Sequence, residues 1–180
     1  MNAVPAPVPA GSGGPRDGVS LAALAEAHLD DVYRYVLYLT GDRDLAEDLT
    51  GETFERALRR WRRFDARRGS GKTWLCQLAR GAALDYFRAE ERRRRREAVY
   101  TAADPREGDA VYGEGLSPVL ERALAALSAA EREVVALRIV LELDAEATAR
   151  VLGISPTACS TRLSRALNKL AERVEADVRA

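Results

Sequence analysis

The sequence contains few of the side chains on which covalent frameworks and metal sites depend. Its 180 residues include only two cysteines, Cys76 and Cys159, and a single histidine, His28. Two distant cysteines without a CxxC motif or a Cys/His cluster predict neither a disulfide framework nor a zinc site. We interpret each cysteine as a small buried hydrophobe, and a reducing cytoplasm as the compartment. No metal or other cofactor is expected.

Long apolar runs and catalytic motifs are missing as well. No segment approaches the roughly 18 consecutive apolar residues that would span a bilayer, so we expect a protein without membrane insertion. No nucleophile and base pair is evident. The short GSGK stretch, Gly69 to Lys72, lacks the GxxxxGK[ST] spacing of a phosphate-binding loop. Enzymatic activity is therefore not expected.

Charge is abundant, and it is distributed in blocks. The 28 basic and 28 acidic side chains cancel over the whole chain. Residues 21–53, however, carry 2 basic and 8 acidic side chains, a net charge of −6, whereas residues 54–96 carry 15 and 5, a net charge of +10. The basic block ends in five consecutive arginines, Arg92 to Arg96. Such segregation predicts separate surfaces for a basic and an anionic partner.

The apolar residues recur with helical spacing throughout, so the chain is predicted to be all-α. The first residues, rich in Pro, Gly and Ala, cannot bury a core, and helical periodicity fails again in an acidic stretch near the middle. The predicted organisation is a disordered tail at residues 1–18, a helical domain at 19–96, a flexible acidic linker at 97–117 and a second helical domain at 118–176.

Helix start and stop signals give the first domain its expected outline. Ser20 is predicted to cap the first helix and Gly41 to end it, and Asp42 restarts the chain. The second helix should bury one apolar face, and a third should extend into the arginine run. The residues expected on the buried face of the second helix are Leu45, Leu49, Phe54, Leu58 and Trp61.

The second domain contains the most specific motif, DAEATARVLGISPTACSTRLSRAL. A short helix capped by Asp144, a turn on Gly153 and a second helix starting at Ser155 and Pro156 form the pattern of a helix-turn-helix, whose second helix enters the DNA major groove. An ordinary helical hairpin is the alternative. Arginine can read guanine, and hydroxyl groups can hold phosphates. The candidate DNA-binding residues are Thr157, Ser160, Thr161, Arg162, Arg165 and Lys169.

Three blocks of sequence, in order around the linker, resemble region 2 and region 4 of extracytoplasmic-function (ECF) sigma factors, the sigma-70-type promoter-specificity subunits of bacterial RNA polymerase. They are YRYVLYLTGDRDLAEDLTGETFERALRRW, TWLCQLARGAALDYFRAEERRRR and the stretch from Leu120 to Leu167. The resemblance implies that this chain binds core polymerase and promoter DNA, and that an anti-sigma factor restrains it. In that family the recognition helix reads the −35 element.

The resemblance also implies roles for the oppositely charged blocks of the first domain. The acidic helix would dock on the clamp helices of the largest polymerase subunit, although the acids alone would also fit a solvated helix face. Its candidate residues are Asp44, Glu47, Asp48, Glu52 and Phe54. The basic segment would bind the opened −10 element, which needs cations and stacking surfaces. Its candidate residues are Phe64, Arg67, Arg68, Lys72, Arg80, Arg88, Arg92 and Arg93.

Two features of the basic segment each have two interpretations. The arginine run, Arg92 to Arg96, either contacts DNA phosphate near the −10 element or is a solvated helix end. Trp74 is either a core residue or a stacking surface for a base.

The chain departs from the family pattern at three positions. Gly51 replaces a glutamine in the docking helix, Gly81 replaces an asparagine in the −10 segment, and Ser160 replaces a lysine in the recognition helix. Two other functions are therefore kept: a conventional helix-turn-helix regulator that binds an operator without polymerase, and a diverged sigma-like protein that mainly binds a regulatory partner.

Overall fold

A computed structural model describes residues 20–97 and 110–179 of the chain. The predicted tail and most of the predicted linker lie outside these residues. Within the described parts the regular structure is entirely helical, as the sequence predicts. The α-helices are α1 (Leu21–Thr40), α2 (Arg43–Arg60), α3 (Gly71–Glu97), α4 (Pro118–Ala125), α5 (Ala129–Val135), α6 (Ala145–Leu152) and α7 (Pro156–Arg179).

Helices α1 to α3 form the N-terminal domain, and its caps are the predicted ones. The Ser20 side chain accepts a hydrogen bond from the backbone N–H of Ala23, and Gly41 ends α1 in the left-handed conformation with φ 66°. Glycine adopts this conformation without the steric penalty of a Cβ. Asp42 then caps α2 by accepting from the N–H of Leu45. Two short 3₁₀ turns, Trp61–Arg63 and Ala66–Arg68, connect α2 to α3.

Helices α4 to α7 form the C-terminal domain. Ser128 and Glu131 form a capping box at the start of α5, and Asp144 caps α6 as predicted. Helix α5 continues into a π-helical turn, Ala136–Val140, which the sequence pattern does not predict. Gly153 ends α6 with φ 68°, so α6 and α7 are joined by the tight turn expected of a helix-turn-helix.

The two domains lie against each other rather than apart. The sequence predicts two domains joined by a flexible linker, but their buried side chains form one continuous cluster. Tyr112, which precedes α4, is 3% exposed and lies at this junction. Its ring centre is 5.9 Å from that of Tyr38 in α1, and the Arg132 guanidinium of α5 lies 5.4 Å from the same ring. Apolar burial therefore stabilises the contact between the domains as well as each domain.

Candidate polymerase and nucleic-acid interfaces

The recognition helix of the C-terminal domain, α7, is held from one side and open on the other. Cys159 and Ala166 are fully buried against the rest of the domain. Ser155 caps the helix by accepting a hydrogen bond from the N–H of Ala158 at 3.1 Å. Because seven residues, about two helical turns, separate the two buried positions, they share one face. The opposite face is free to enter a groove.

Most of the predicted −35 residues lie on that open face. Thr157, Thr161 and Arg165 are exposed and Arg162 is half-buried, and all four line one shallow groove together with Ser128 at the start of α5. The groove therefore presents two guanidinium groups and the hydroxyl groups of Thr157, Thr161 and Ser128 on one surface. That composition suits base edges and phosphates.

Two further −35 candidates are exposed, but their polar groups already have partners. The Ser160 hydroxyl donates to the carbonyl of Pro156 at 3.1 Å, as a helical serine commonly does. The Lys169 ammonium forms an ion pair with Glu131. This contact, with the hydrogen bonds from Ser128, lowers the pKa of the Glu131 carboxyl to about 2. Lys169 can reach DNA only by leaving Glu131.

Helix α2 presents the acidic surface proposed for polymerase. Asp44, Glu47 and Asp48 are exposed, as the docking prediction requires. Glu52 is instead held by Arg56, whose Nε and Nη2 lie 2.9 and 2.6 Å from Glu52 Oε1. Phe54 is partly buried and packs against the core, so it anchors α2 to the domain.

The prediction that Leu58 lies on the buried face of α2 is wrong. Its side chain is 69% exposed, whereas Ala57 beside it is fully buried. The helical rotation brings Leu58 onto the same outer face as Glu55, Gly51 and Asp48, which are exposed at intervals of three or four residues. An exposed leucine at the end of an acidic face is a candidate docking residue, and the sequence pattern did not predict it. Its spacing from Asp48 and Gly51 was the available signal.

The predicted −10 cations divide into free and paired groups. Arg67 and Arg68 are exposed in the connection between α2 and α3. Lys72 Nζ lies 3.2 Å from Asp31 Oδ1 of α1, and Arg80 Nε lies 2.8 Å from Glu133 Oε1 of α5. Arg88 is 67% exposed and lies 3.5 Å from Asp85. The surface therefore offers less free positive charge than the sequence suggests.

Phe64, a predicted −10 residue, is not an exposed stacking surface. It is 8% exposed, and its ring is stacked on Trp61 with centres 5.3 Å apart. Trp74 packs on the other side, 5.0 Å from the Phe64 ring centre. Both tryptophans are half-buried and pack against the core, as the core interpretation of Trp74 expects, whereas its role as a stacking surface for a base stays a prediction. Phe64, Trp74, Arg68 and Gln77 line one groove, and this groove is the aromatic surface beside the −10 cations.

The arginine run continues α3, and much of its charge is paired within the helix. Glu90 receives hydrogen bonds from Arg93 and Arg94, which lower the pKa of its carboxyl, and Glu91 receives one from Arg95 at 2.7 Å. These are exposed pairs between residues three or four apart, which stabilise a helix only slightly. The arginines can therefore exchange their carboxylate partners for phosphate with little loss of helix stability.

Neither cysteine is a reactive group in this fold. Both side chains are fully buried, and burial raises the pKa of the Cys76 thiol to about 12. Among residues 20–97 and 110–179, no cluster of His, Cys, Asp or Glu side chains could hold a metal ion. None of the helices described is both long and apolar enough to cross a membrane.

Comparison with known families assigns both domains. Residues 24–93 match the model of Sigma-70 region 2, and residues 118–170 match that of Sigma-70 region 4. The chain is 34% identical to the ECF RNA polymerase sigma factor BldN of Streptomyces coelicolor, covering 87% of this chain and 61% of that protein. It is 33% identical to the ECF RNA polymerase sigma factor SigC of Mycobacterium tuberculosis, covering 89% of this chain and 86% of the relative.

The fold is shared with a solved structure of the same class. The sigma factor RpoE from Bartonella quintana, in complex with the anti-sigma factor NepR, superimposes with a TM-score of 0.71 at 25% identity, over 85% of this chain and 95% of that one. Two helical domains, with an exposed recognition helix in the second, thus define a sigma-type promoter-reading protein. The chain belongs to the ECF family of RNA polymerase sigma factors.

Proposed function

We propose that this chain binds core RNA polymerase through α2 and directs it to promoters by contacting the −10 element with the N-terminal domain and the −35 element with α7. The observation that carries the proposal is the exposed, two-arginine face of α7 in a chain that also has region 2 of a sigma factor. The protein would act in the cytoplasm, where core polymerase is found, and would perform no catalysis of its own.

The polymerase contact is assigned to the outer face of α2. Asp44, Glu47 and Asp48 supply exposed negative charge in the first half of the helix, and Leu58 supplies an exposed apolar side chain at its end. A leucine within a charged rim is the arrangement expected of a protein interface. The complementary surface is basic, which suits the clamp helices of the largest subunit.

The nucleic-acid contacts are assigned by accessibility. Arg67 and Arg68 are free cations beside the groove formed by the aromatic residues, and Arg92 extends the same charge along α3. We propose that the opened −10 strand follows this path, with phosphates on the arginines and a base against the exposed part of Trp74. On α7, Arg162 and Arg165 would read the −35 duplex from the major groove.

Arg162→Ala and Arg165→Ala test the assignment of α7. Each should weaken binding to a −35 duplex by roughly 1–3 kcal/mol while polymerase binding stays unchanged, because the arginines belong to α7 and the docking face belongs to α2 of the other domain. Arg179→Ala is the matched control, since it removes the same charge from the other end of α7. Equal loss of DNA and polymerase binding would show that the two arginines support the fold.

Reconstitution separates the remaining functions. The wild-type chain added to core polymerase should initiate transcription from a promoter selected from random DNA. Duplex binding without polymerase binding would favour a conventional regulator. Polymerase or anti-sigma binding without initiation would favour a diverged sigma-like protein. An anti-sigma factor is proposed as a further partner, since the similar RpoE structure contains one.

A further inference from the structure

A buried polar cluster lies in the contact between the two domains. Glu133 of α5 accepts hydrogen bonds on one carboxylate oxygen, Oε1, from the Tyr35 hydroxyl of α1 at 2.8 Å and from Arg80 Nε of α3 at 2.8 Å. Tyr35 is fully buried and Glu133 is 8% exposed. Both of these hydrogen-bond donors to the Glu133 carboxylate thus belong to the other domain.

This arrangement makes the carboxylate depend on domain contact. A buried carboxylate is strongly unfavourable unless it is paired and hydrogen-bonded, and here the N-terminal domain supplies the cation and the hydroxyl. Burial and the charge of Glu133 raise the pKa of Tyr35 well above its usual value, so its hydroxyl remains a donor. The Glu133 carboxylate is therefore hydrogen-bonded in the closed arrangement, in which the two domains are in contact. When the domains separate, it must be hydrated by water instead.

A second polar contact joins the domains nearby. The Gln77 side-chain amide of α3 donates to the backbone carbonyl of Arg150 in α6 at 3.2 Å. Gln77 and Arg80 are three residues apart and lie on the same face of α3. The C-terminal domain therefore occupies the face of α3 that carries Arg80.

The two DNA-reading surfaces differ in accessibility as a result. Arg80, a predicted −10 contact, keeps only 28% of its side chain exposed and is paired with Glu133. Thr157, Thr161 and Arg165 on the recognition helix remain exposed. Domain contact thus covers part of the −10 surface and leaves the −35 surface open.

We propose that Glu133 is an intramolecular latch, which holds the C-terminal domain against the N-terminal domain and occupies Arg80, so that the free chain has part of its −10 surface covered and its −35 surface open. Opening exchanges the Glu133 carboxylate for DNA phosphate as the partner of Arg80. The link to DNA rests on the proposed function, whereas the latch itself is a property of the free protein.

Two substitutions weaken the latch by different routes. Glu133→Gln removes the charge and keeps the shape, and Tyr35→Phe removes one hydroxyl without touching a predicted DNA contact. Each should raise the ratio of open to closed chains about tenfold, the equivalent of about 1.4 kcal/mol, which is typical of one hydrogen bond to a charged group. Glu175→Gln, a 65% exposed carboxylate of α7, is the matched control and should leave the ratio unchanged.

The ratio can be measured on the full chain without DNA. Spin labels at Glu55→Cys and Ala125→Cys report the distance between the domains by pulsed electron paramagnetic resonance, because both positions are exposed and both native cysteines are fully buried. The wild type should give one narrow distance, and both latch variants should gain a longer, broader population. An unchanged distribution in both folded variants would overturn the latch.

Binding then tests what the latch covers. Both latch variants should bind a short fluorescein-labelled single-stranded DNA of random sequence several-fold more tightly than the wild type, with unchanged affinity for a −35 duplex selected by the wild-type chain. Opening without tighter single-strand binding would overturn the assignment of Arg80 as the covered contact. If no form binds either DNA, the proposed function fails, while a shifted distance still supports the latch.

Discussion

The substitution Gly51→Ala tests whether Gly51 lies in the exposed interior of α2, the helix proposed to dock on polymerase. Gly51 lies in the interior of α2, where glycine costs about 0.8–1 kcal/mol relative to alanine. It is exposed, and apart from its chain neighbours and the backbone of its own helix an added Cβ would meet no heavy atom within 4 Å. Nothing therefore offsets the gain in helix propensity, and the full value of about 1 kcal/mol should appear as stability.

The gain is large enough to measure directly. For a chain of this size, about 1 kcal/mol raises the melting temperature by roughly 2–4 °C. Urea unfolding followed by circular dichroism should show a higher midpoint at an unchanged slope. Gly153→Ala is the opposite control, because its φ of 68° should make the same change destabilising by roughly 1–2 kcal/mol. A neutral or destabilising effect of Gly51→Ala would refute the assignment of Gly51 to an exposed helix interior.

Three further results are expected. Leu58→Gln should weaken polymerase binding at least tenfold without lowering stability, because the Leu58 side chain is 69% exposed and glutamine has nearly the helix propensity of leucine. A native gel shift with core polymerase measures the binding, and a loss of helicity would contradict the interpretation. The stability that Glu131 contributes should be present above its unfolded pKa of about 4.3 and should fall as the pH drops toward its folded pKa of about 2. In Glu131→Gln, the free energy of unfolding should therefore depend less on pH between these two values. Replacing Arg92 to Arg96 with glutamine should reduce the salt dependence of promoter binding; an unchanged slope would leave the run as a solvated helix end.

Local features of the fold could be predicted because the residues that produce them are close in sequence. Ser20, Gly41 and Asp144 act over three or four positions, and the structure has each as predicted. The turn at Gly153 belongs to the same class, since a left-handed residue between two helical patterns needs no distant partner. The all-α class follows from the same local signals.

The partners of the charged side chains could not be predicted, because they are distant in sequence. Glu133 meets Tyr35 across 98 positions and Arg80 across 53. Periodicity identifies a helix face but not the element that covers it, which is why Leu58 was placed on the wrong side of α2 and Phe64 in the open. The resemblance to sigma factors supplied the roles of the surfaces, and only the structure indicates which of their residues are free.

The pairing of cations within the protein changes how its DNA binding should respond to salt. The salt slope is the change in the logarithm of the binding constant with the logarithm of the salt concentration. A cation contributes to it only by displacing counterions from phosphate, and each phosphate contacted on a single strand adds about 0.7 to its magnitude. Lys72 and Arg80 are already neutralised by Asp31 and Glu133, so their transfer to DNA exposes a carboxylate each time. The newly exposed carboxylate attracts cations from solution and offsets part of the release. The sequence places 15 basic side chains in residues 54–96, yet the wild-type slope should reflect mainly unpaired cations such as Arg67 and Arg68. A neutral net charge is thus consistent with strong binding of DNA by part of the surface. Carboxylates that pair with cations in the fold make those cations less available to DNA, whereas unpaired cations remain available.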